Sequence, residues 1–501
     1  MAGRDGAVIA ARPPIRDADL DAIVVGSGPN GLAAAVTLAR AGLAVRVIER
    51  EATVGGGART LELTLPGFRH DRCSAVHPLG LASGFFRAFG LERRIGFAVP
   101  DLSYAHPLDG GRSGLAWRDL DRTVAGLGVD GAAYRRLMGP LARRADQVAR
   151  CTGSSLVGVP RHPLTVLRFG FRALWQGGPG WDAGFAGDVA PAMVTGLAAH
   201  AILPLPSLGA AGGALALGAY AHARGWPIPI GGSQAITDAM VDDLVAHGGE
   251  VVTGHDVRSL AELPPVRAVL LDTSARALAR LAADRLPERY LRTLDGVRIG
   301  NAVAKVDFAL SEPVPWADPE LRNAGTLHLG GTRAEIAAAE NAVGRGRHPD
   351  APYVLVSQPS RFDPSRAPEG RHVLWAYTHV PRGSGVDRAE AVIAQIERFA
   401  PGFRDTILAV SSGTAVDTEL HNPNYLLGDI ATGEPDLRQL VRRPVLSADP
   451  WRTPARGVYL ASAAAAPGPG VHGLAGWYAA RSALRHEFGL SWTPRLAPES
   501  V

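Results

Sequence analysis

The hydrophobic pattern near the start of the chain predicts a strand, a helix and a second strand in quick succession. Residues 21–25 (DAIVV) form a short apolar run, which is typical of a parallel strand buried on both faces. Residues 32–40 (LAAAVTLAR) are rich in helix formers, and Gly42 ends that helix. Residues 44–48 (AVRVI) predict the next strand. Together they form a β-α-β unit of about 30 residues.

The rest of the chain alternates between two kinds of segment, which differ in their predicted secondary structure. An amphipathic helix is predicted over 235–247, short buried strands over 250–253 and 268–271, and strand, loop and helix over 458–484. Residues 66–225 show several helical patterns, whereas 301–310, 353–358 and 373–379 alternate as strands. We therefore predict an α/β protein in which a Rossmann-like nucleotide-binding domain is interleaved with an α+β substrate domain.

The length of the chain supports two lobes. Its 501 residues exceed the about 100–200 residues that are usual for one domain. We predict a flexible N-terminal extension over 1–18. The nucleotide-binding domain is expected over 19–66, 226–300 and 441–501, and the substrate domain over 67–225 and 301–440.

Composition and charge exclude several classes of protein. The net charge is only +4 and like charges do not cluster, which disfavours nucleic-acid binding. Cys73 and Cys151 are too few for a disulfide framework, and the first 20 residues lack the apolar region of a cleaved signal, so a cytoplasmic protein is expected. Residues 189–223 carry no charge but contain prolines, which favours a buried helix pair, or a surface that contacts a membrane, over a spanning helix.

A glycine-rich motif follows the first strand. Its first glycine permits a tight turn, its second lets a pyrophosphate approach the backbone, and its third lets helix and strand pack closely. Glu49 lies about 20 residues further on, where an acid accepts from an adenosine ribose hydroxyl. The motif residues are Gly26, Ser27, Gly28, Pro29, Asn30 and Gly31.

The same six-letter pattern occurs twice more. Residues 126–131 follow a charged segment rather than a strand, so we interpret them as a chance match. Residues 468–473 precede a helix predicted in 471–484, whose N-terminus would stabilise the negative charge of a reduced flavin. Residues 55–57 (GGG) lie where a flavin's diphosphate and ribityl chain would extend. These two features favour FAD over NAD, although a plain glycine-rich loop is the alternative for the last copy.

Longer motifs carry a family resemblance. The first segment, with Glu49, 55–57 and Arg59-Thr60, resembles the phytoene-dehydrogenase-related flavoproteins, which form one FAD superfamily with the amine oxidases. The resemblance covers nearly the whole chain and is closer to an uncharacterised subgroup than to the carotenoid enzymes. Gly57 stands where carotenoid desaturases usually place arginine. Further matching motifs are 66–71 (PGFRHD), 73–78 (CSAVHP), 231–233 (GGS), 421–425 (HNPNY) and 470–473 (GVHG).

The resemblance implies an FAD-dependent oxidoreductase (a dehydrogenase, oxidase or desaturase) that binds FAD between two domains. It implies that Val257 contacts the adenine through its backbone. Beside the first glycine motif and Glu49, the cofactor residues expected are Arg50, Gly56, Gly57, Val257, Gly470, Val471, His472 and Gly473.

Two residues are candidates for a catalytic role. Lys305 is the only lysine in the chain, and strand alternation places it on one face with Asp307. Its position resembles the lysine that amine oxidases hold near flavin N5 through a water, and the alternative is an ordinary lysine at a strand edge. His472 lies at the helix start expected beside the flavin, and the alternative is a structural histidine with satisfied hydrogen bonds.

Four residues are candidates for contact with substrate: His77, His200, Trp226 and Tyr425. Core packing is the alternative, above all for His200 and Trp226. The apolar stretch around His200 predicts a hydrophobic small-molecule substrate, with oxygen or a quinone as electron acceptor. An FAD-dependent polyene isomerase, an amine oxidase and a flavin-binding interaction protein stay open as alternatives. Peripheral membrane contact is compatible with the resemblance, and the oligomeric state stays open. No cluster has the spacing of metal ligands.

Overall fold

Two large sheets organise the fold. The structure is a computed structural model that describes residues 7–11, 13–181 and 183–498. Neighbouring strands of the first sheet are parallel except for one antiparallel edge strand, Val8–Ile9. This arrangement is a Rossmann-like sheet with an added edge. Within the described residues its strand order is Val8–Ile9, Glu250–Val252, Val45–Ile48, Ala22–Val25, Ala268–Leu271 and Val458–Leu460.

The second sheet is mostly antiparallel. Its one parallel pair joins Thr326–Leu329 to Leu102–Leu108. The sequence pattern missed Leu102–Leu108 because all seven of its residues are buried, so apolar and polar positions do not alternate there. In the described residues the strand order is Ile407–Gly413, Ala302–Leu310, His372–Val380, Val354–Ser357, Thr326–Leu329, Leu102–Leu108 and Arg112–Trp117. Two short ladders pair Thr60–Glu62 with Arg69–Asp71 and Phe97–Ala98 with Ile228–Pro229.

Helices pack against both sheets. The α-helices of the described residues are Pro29–Ala39, Pro78–Ala82, Gly84–Phe89, Leu120–Gly126, Gly131–Ala142, Ala145–Thr152, Pro163–Gln176, Val189–Ala199, Leu208–Ala223, Gln234–Ala246, Ala275–Leu281, Glu288–Asp295, Arg333–Gly344, Ala389–Phe399, Ala415–His421, Leu437–Val441 and Leu474–Glu487. The last helix begins at Leu474, later than the predicted residue 471, because Gly473 adopts a left-handed backbone with φ of 66°.

Helix Pro29–Ala39 begins at the glycine motif and is buried along nearly its whole length. Proline at its first position suits a helix start, because that position has no intrahelical partner for an N–H group. The helix packs against Leu474–Glu487 at very short range. A Cβ on Gly476 would lie 1.7 Å from the carbonyl oxygen of Asn30, so glycine is required there.

The uncharged stretch 189–223 forms two buried helices that pack against each other, Val189–Ala199 and Leu208–Ala223. Of the two predictions for this stretch, the buried helix pair is correct and the membrane-contacting surface is wrong. The side chains of the stretch fill the core beside the second sheet instead. Among the described residues, no helix combines the length and the apolar character needed to cross a membrane.

The chain before residue 19 departs from the predicted flexible extension. Val8–Ile9 pairs with Glu250–Val252 at the edge of the first sheet. The Arg46 guanidinium donates to the Ile15 carbonyl oxygen at 2.6 Å and to Asp17 at 2.5 Å. Backbone pairing and these two bonds therefore hold the segment to the sheet, whereas residues 1–6 and 12 lie outside the described residues.

Helix Gly84–Phe89 departs from the predicted domain boundary at residue 67. Its three phenylalanines, Phe85, Phe86 and Phe89, are buried in the core of the Rossmann-like sheet rather than in that of the second sheet. The chain therefore returns to the first core within the segment predicted for the substrate domain.

We expect Gly476→Ala to lower the free energy of unfolding by about 3 kcal/mol, because the new methyl group would overlap the Asn30 carbonyl. Urea unfolding followed by tryptophan fluorescence measures the change. Gly213→Ala is the matched control, since no atom lies within 4 Å of its added Cβ in helix Leu208–Ala223. That variant is expected to be at least as stable as the native chain. Equal stability of the two variants would contradict the packing described for Gly476.

Candidate functional site

The glycine loop joins strand Ala22–Val25 to the helix that follows. Gly26 has φ of 100°, a conformation that favours glycine. A Cβ on Gly31 would lie 2.2 Å from the Gly26 carbonyl oxygen, and one on Gly28 would lie 2.5 Å from Oδ2 of Asp272. None of the three glycines therefore has room for a side chain, as expected of a loop that brings its backbone close to a dinucleotide.

Glu49 ends the second strand and is tied to this loop. Its Oε2 accepts hydrogen bonds from the backbone N–H of Ser27 at 2.9 Å and from the Ser27 hydroxyl at 2.6 Å. Its Oε1 accepts from the N–H of Glu51 at 2.9 Å. The three bonds hold the buried carboxylate in place. Because a carboxylate oxygen can accept two hydrogen bonds, Oε1 keeps the capacity to accept one from a ribose hydroxyl.

Asp272 is a site residue that the sequence analysis missed. It directly follows strand Ala268–Leu271, and its Oδ2 accepts a hydrogen bond from the N–H of Gly31 at 2.9 Å. Burial, with the Glu49 carboxylate nearby, raises the pKa of Asp272 to about 7. Its position could have identified Asp272 from the sequence, because the carboxyl end of a strand beside Ala22–Val25 must face the glycine loop.

These groups face one cavity of about 990 Å³. Of the predicted cofactor residues, Gly31 and Gly473 lie behind its wall, where an added Cβ would come within 2.2 Å of the Gly26 carbonyl oxygen and 2.4 Å of the Phe85 ring. The structure thus brings together four distant segments of the chain. The predicted cofactor residues that line the cavity are Gly26, Ser27, Gly28, Pro29, Asn30, Glu49, Arg50, Gly56, Gly57, Val257, Gly470, Val471 and His472.

Away from the glycine loop the cavity walls become apolar. Phe169 and Ala173 of helix Pro163–Gln176 and Leu217 of helix Leu208–Ala223 belong to this part. The predicted substrate residues His77, His200, Trp226 and Tyr425 line the cavity as well. The predicted cofactor residues and an apolar chamber therefore share one cavity.

Half-buried His200 pairs with buried His328 in the wall of the chamber. The two Nε2 atoms lie 2.8 Å apart, so one ring donates and the other accepts. Burial lowers the pKa of His200 to about 3 and takes the pKa of His328 well below its ordinary value, which keeps both rings neutral. The Trp226 ring meets His200 edge-on at 5.7 Å. No sequence pattern singled out His328, which lies in strand Thr326–Leu329.

Nε2 of His77 makes a polar contact within the protein and is therefore not available to substrate. Its Nε2 lies 2.7 Å from the hydroxyl oxygen of Ser233, in the GGS motif. Burial lowers the pKa of His77 to about 4, so the ring is neutral. The contact ties the segment before helix Pro78–Ala82 to the start of helix Gln234–Ala246.

Tyr425 occupies the space that Gly57 leaves. A Cβ on Gly57 would lie 2.2 Å from the Tyr425 hydroxyl oxygen and 3.6 Å from Sγ of Cys73. Burial raises the pKa of the Tyr425 phenol well above its ordinary value and also raises the pKa of the Cys73 thiol. Where the resemblance leads one to expect arginine, this wall therefore presents a neutral phenol and a neutral thiol.

His472 shapes the loop before the last helix. Its Nδ1 accepts from the N–H of Leu474 at 3.0 Å, and its Nε2 lies 3.0 Å from the Gly468 carbonyl oxygen, to which it therefore donates. Burial lowers the pKa of His472 to about 4. Both ring nitrogens are thus engaged within the loop, which supports a structural role while one face of the ring borders the cavity.

Lys305 and Asp307 form a buried ion pair. His70 Nδ1 lies 3.5 Å from the same carboxylate oxygen of Asp307. Nζ of Lys305 lies 5.2 Å from the centre of the Trp375 ring. Trp375 lines the cavity, but Lys305 is not among the described residues that line it. Lys305 therefore lies one side chain away from the cavity, and contact between Lys305 and a flavin stays a prediction.

Comparison with known proteins agrees with this architecture. A family model described as an NAD(P)-binding Rossmann-like domain matches residues 24–89. The chain is 25% identical to pyridine nucleotide-disulfide oxidoreductase domain-containing protein 2 of Rattus norvegicus, with 93% of this chain and 94% of that protein covered.

Solved structures show the same fold. An oxidoreductase from Methanosarcina mazei matches with a TM-score of 0.54 and 18% identity, covering 93% of this chain and 100% of that chain. Cyclohexylamine oxidase from Brevibacterium oxydans matches with a TM-score of 0.53 and 16% identity, covering 93% and 98%. The predicted fold class, a Rossmann-like domain interleaved with a second α+β domain, is confirmed, and the chain has an amine oxidase-like fold.

We expect Lys305→Met to lower the free energy of unfolding by about 3–5 kcal/mol, because it leaves the buried Asp307 carboxylate without its cation. The double variant Lys305→Met/Asp307→Asn removes both charges and should recover most of the loss. Urea unfolding of the two variants measures this difference. A single variant as stable as the native chain would show that the ion pair has no structural role.

Proposed function

We propose that the protein is an FAD-dependent oxidoreductase that oxidises a hydrophobic small molecule. The observation that carries the proposal is the shared cavity, which runs from the glycine loop to an apolar chamber walled by residues such as Phe169 and Leu217. Its volume of about 990 Å³ is at the upper end of ordinary ligand pockets. A bound dinucleotide and a lipophilic substrate would meet inside it.

The residues present fit FAD. Gly55 and Gly56 have φ of 118° and 52°, and a Cβ on Gly56 would lie 3.1 Å from the Cα of Gly28, so the two glycine segments form one narrow backbone cradle. The guanidinium groups of Arg50 and Arg59 border the same cavity and supply positive charge for a diphosphate. The loop before the last helix closes the cavity further along, where an isoalloxazine would extend.

Each segment has a defined task in this proposal. Glu49 accepts a hydrogen bond from the ribose, and the N-terminus of helix Pro29–Ala39 turns its partial positive charge toward the diphosphate. The flavin would supply the hydride acceptor, at N5. The apolar walls exclude water from the substrate. His200, whose pKa of about 3 keeps its ring uncharged, orients substrate through a hydrogen bond.

Re-oxidation by oxygen or a quinone is part of the same proposal. The second glycine match, 126–131, lies between helices Leu120–Gly126 and Gly131–Ala142 and follows no strand, so it does not form a second dinucleotide site. Within the phytoene-dehydrogenase-like group, the Tyr425 hydroxyl beside Gly57 distinguishes this site from the arginine of carotenoid desaturases. The apolar chamber walls still favour a polyene or another lipid-like substrate.

The purified protein is expected to be yellow, with the absorbance bands of oxidised flavin, because the cradle and Glu49 hold FAD. Under anaerobic conditions a panel of lipophilic alcohols, polyenes and saturated analogues should contain compounds that bleach it. Amines serve as the comparison panel. A colourless protein that takes up no FAD would overturn the proposal, and bleaching by amines alone with peroxide release would indicate an amine oxidase.

The affinity for FAD is expected to fall as the pH rises through about 7, the pKa to which burial and Glu49 raise Asp272. Below that pH the Asp272 carboxyl is neutral, and above it a negative charge faces the diphosphate. Asp272→Asn should remove this dependence and bind FAD about tenfold more tightly at alkaline pH. Titration of deflavinated protein, followed by flavin fluorescence, measures the dissociation constant.

Asp256→Asn is the matched control, since Asp256 is an exposed carboxylate on the wall of the same cavity. It should keep the pH dependence of the native protein. Asp272→Asn with an unchanged pH profile would show that another group titrates.

A further inference from the structure

Helix Pro163–Gln176 has apolar side chains on two sides. Phe169 and Ala173 point into the cavity. On the other side lie five exposed apolar side chains: Leu164 (67% exposed), Leu167 (69%), Phe171 (66%), Leu174 (59%) and Trp175 (47%). Their spacing places these five on one stripe of the helix, which we call the outer apolar face.

The outer apolar face continues into the loop before the helix. Leu156 is 47% exposed and Val159 is 96% exposed. Scattered single apolar residues are normal on protein surfaces, but a contiguous apolar patch marks a site of contact with a partner or a membrane. An apolar stripe normally faces the core of a protein, so a stripe that faces solvent indicates that something else covers it.

The charged residues of the segment that carries this face have one sign. Between Asp146 and Asp182 the sequence contains four arginines and no acidic residue. Three of them, Arg150, Arg161 and Arg168, are exposed. The fourth, Arg172, donates through Nε to the Leu137 carbonyl oxygen at 3.2 Å and anchors the helix to the body of the protein. An apolar face flanked by exposed arginines is the pattern of a helix that lies in the interface of an anionic membrane.

We propose that the outer apolar face docks on an anionic lipid bilayer, with the helix lying in the plane of the interface. A second copy of the chain is the less favourable occupant, because a two-fold contact would bring this arginine-flanked patch against itself. Lipid phosphates instead complement the arginines while acyl chains cover Leu167 and Phe171. The docking itself does not depend on the proposed oxidoreductase activity.

The cavity opens beside this face. Leu156, Val166 and Leu174 line the cavity and are also exposed at the surface. A lipophilic molecule could therefore pass from the bilayer into the chamber without crossing water. This second step rests on the proposed function, whereas the docking step is testable without it.

The test is co-sedimentation of the full chain with vesicles of phosphatidylcholine, alone and mixed with phosphatidylglycerol. We expect binding to the mixed vesicles that weakens as salt is added. Leu167→Glu/Phe171→Glu should weaken it about tenfold or more, because two charges must leave water with the face. Leu408→Glu/Val410→Glu is the matched control, because these two apolar side chains are also exposed (45% and 40%) but lie on strand Ile407–Gly413. This variant should bind the vesicles as the native chain does.

Three results would overturn the docking proposal. The native chain could fail to sediment with the mixed vesicles, or the Leu167/Phe171 variant could bind as tightly as the native chain. Light scattering could also show a dimer that depends on Leu167 and Phe171 and binds no vesicles. The flavin spectrum of each variant is recorded in parallel. Vesicle binding by a colourless protein would contradict the proposed function while leaving the docking proposal intact.

Discussion

Backbone packing at the start of helix Pro29–Ala39 is the constraint on which the site depends. Gly31 approaches the Gly26 carbonyl there, and Gly476 approaches the Asn30 carbonyl so closely that no Cβ fits at either glycine. Because the last helix must cross at that point, the loop that precedes it lies beside the glycine loop. A segment near the C-terminus thereby becomes a wall of the cavity that begins near the N-terminus, and one cavity results instead of two.

Electrostatics divides that cavity into parts with different tasks. Near the glycine loop, Glu49 holds its carboxylate with three local hydrogen bonds while Asp272 has a pKa of about 7. At Gly57 the wall carries the neutral Tyr425 phenol. Further in, burial keeps His200 uncharged. The polar region that would hold the cofactor thus passes into an uncharged chamber, which suits a lipophilic molecule.

Local signals predicted the nucleotide-binding unit well, because a strand, a glycine loop, a helix and Glu49 are all set within a short stretch of chain. Contacts between distant segments were not predictable in that way. Asp272 and His328 acquire their roles only through strands that pair across the fold. Alternation placed Lys305 beside Asp307 but could not show that Trp375 lies between the lysine and the cavity. The absence of charged residues directed attention to 189–223, which is mostly buried, whereas the exposed apolar stripe lies on a helix that also carries arginines.

The most direct test of FAD binding in this cavity is a crystal structure of the protein with FAD. We expect the adenosine ribose against Glu49, the diphosphate between the glycine loop and the residue 55–57 segment, and the isoalloxazine beside the loop that contains Gly470 and His472, facing the apolar chamber. FAD bound with its isoalloxazine outside that chamber, or a dinucleotide without a flavin in the same place, would contradict this binding mode.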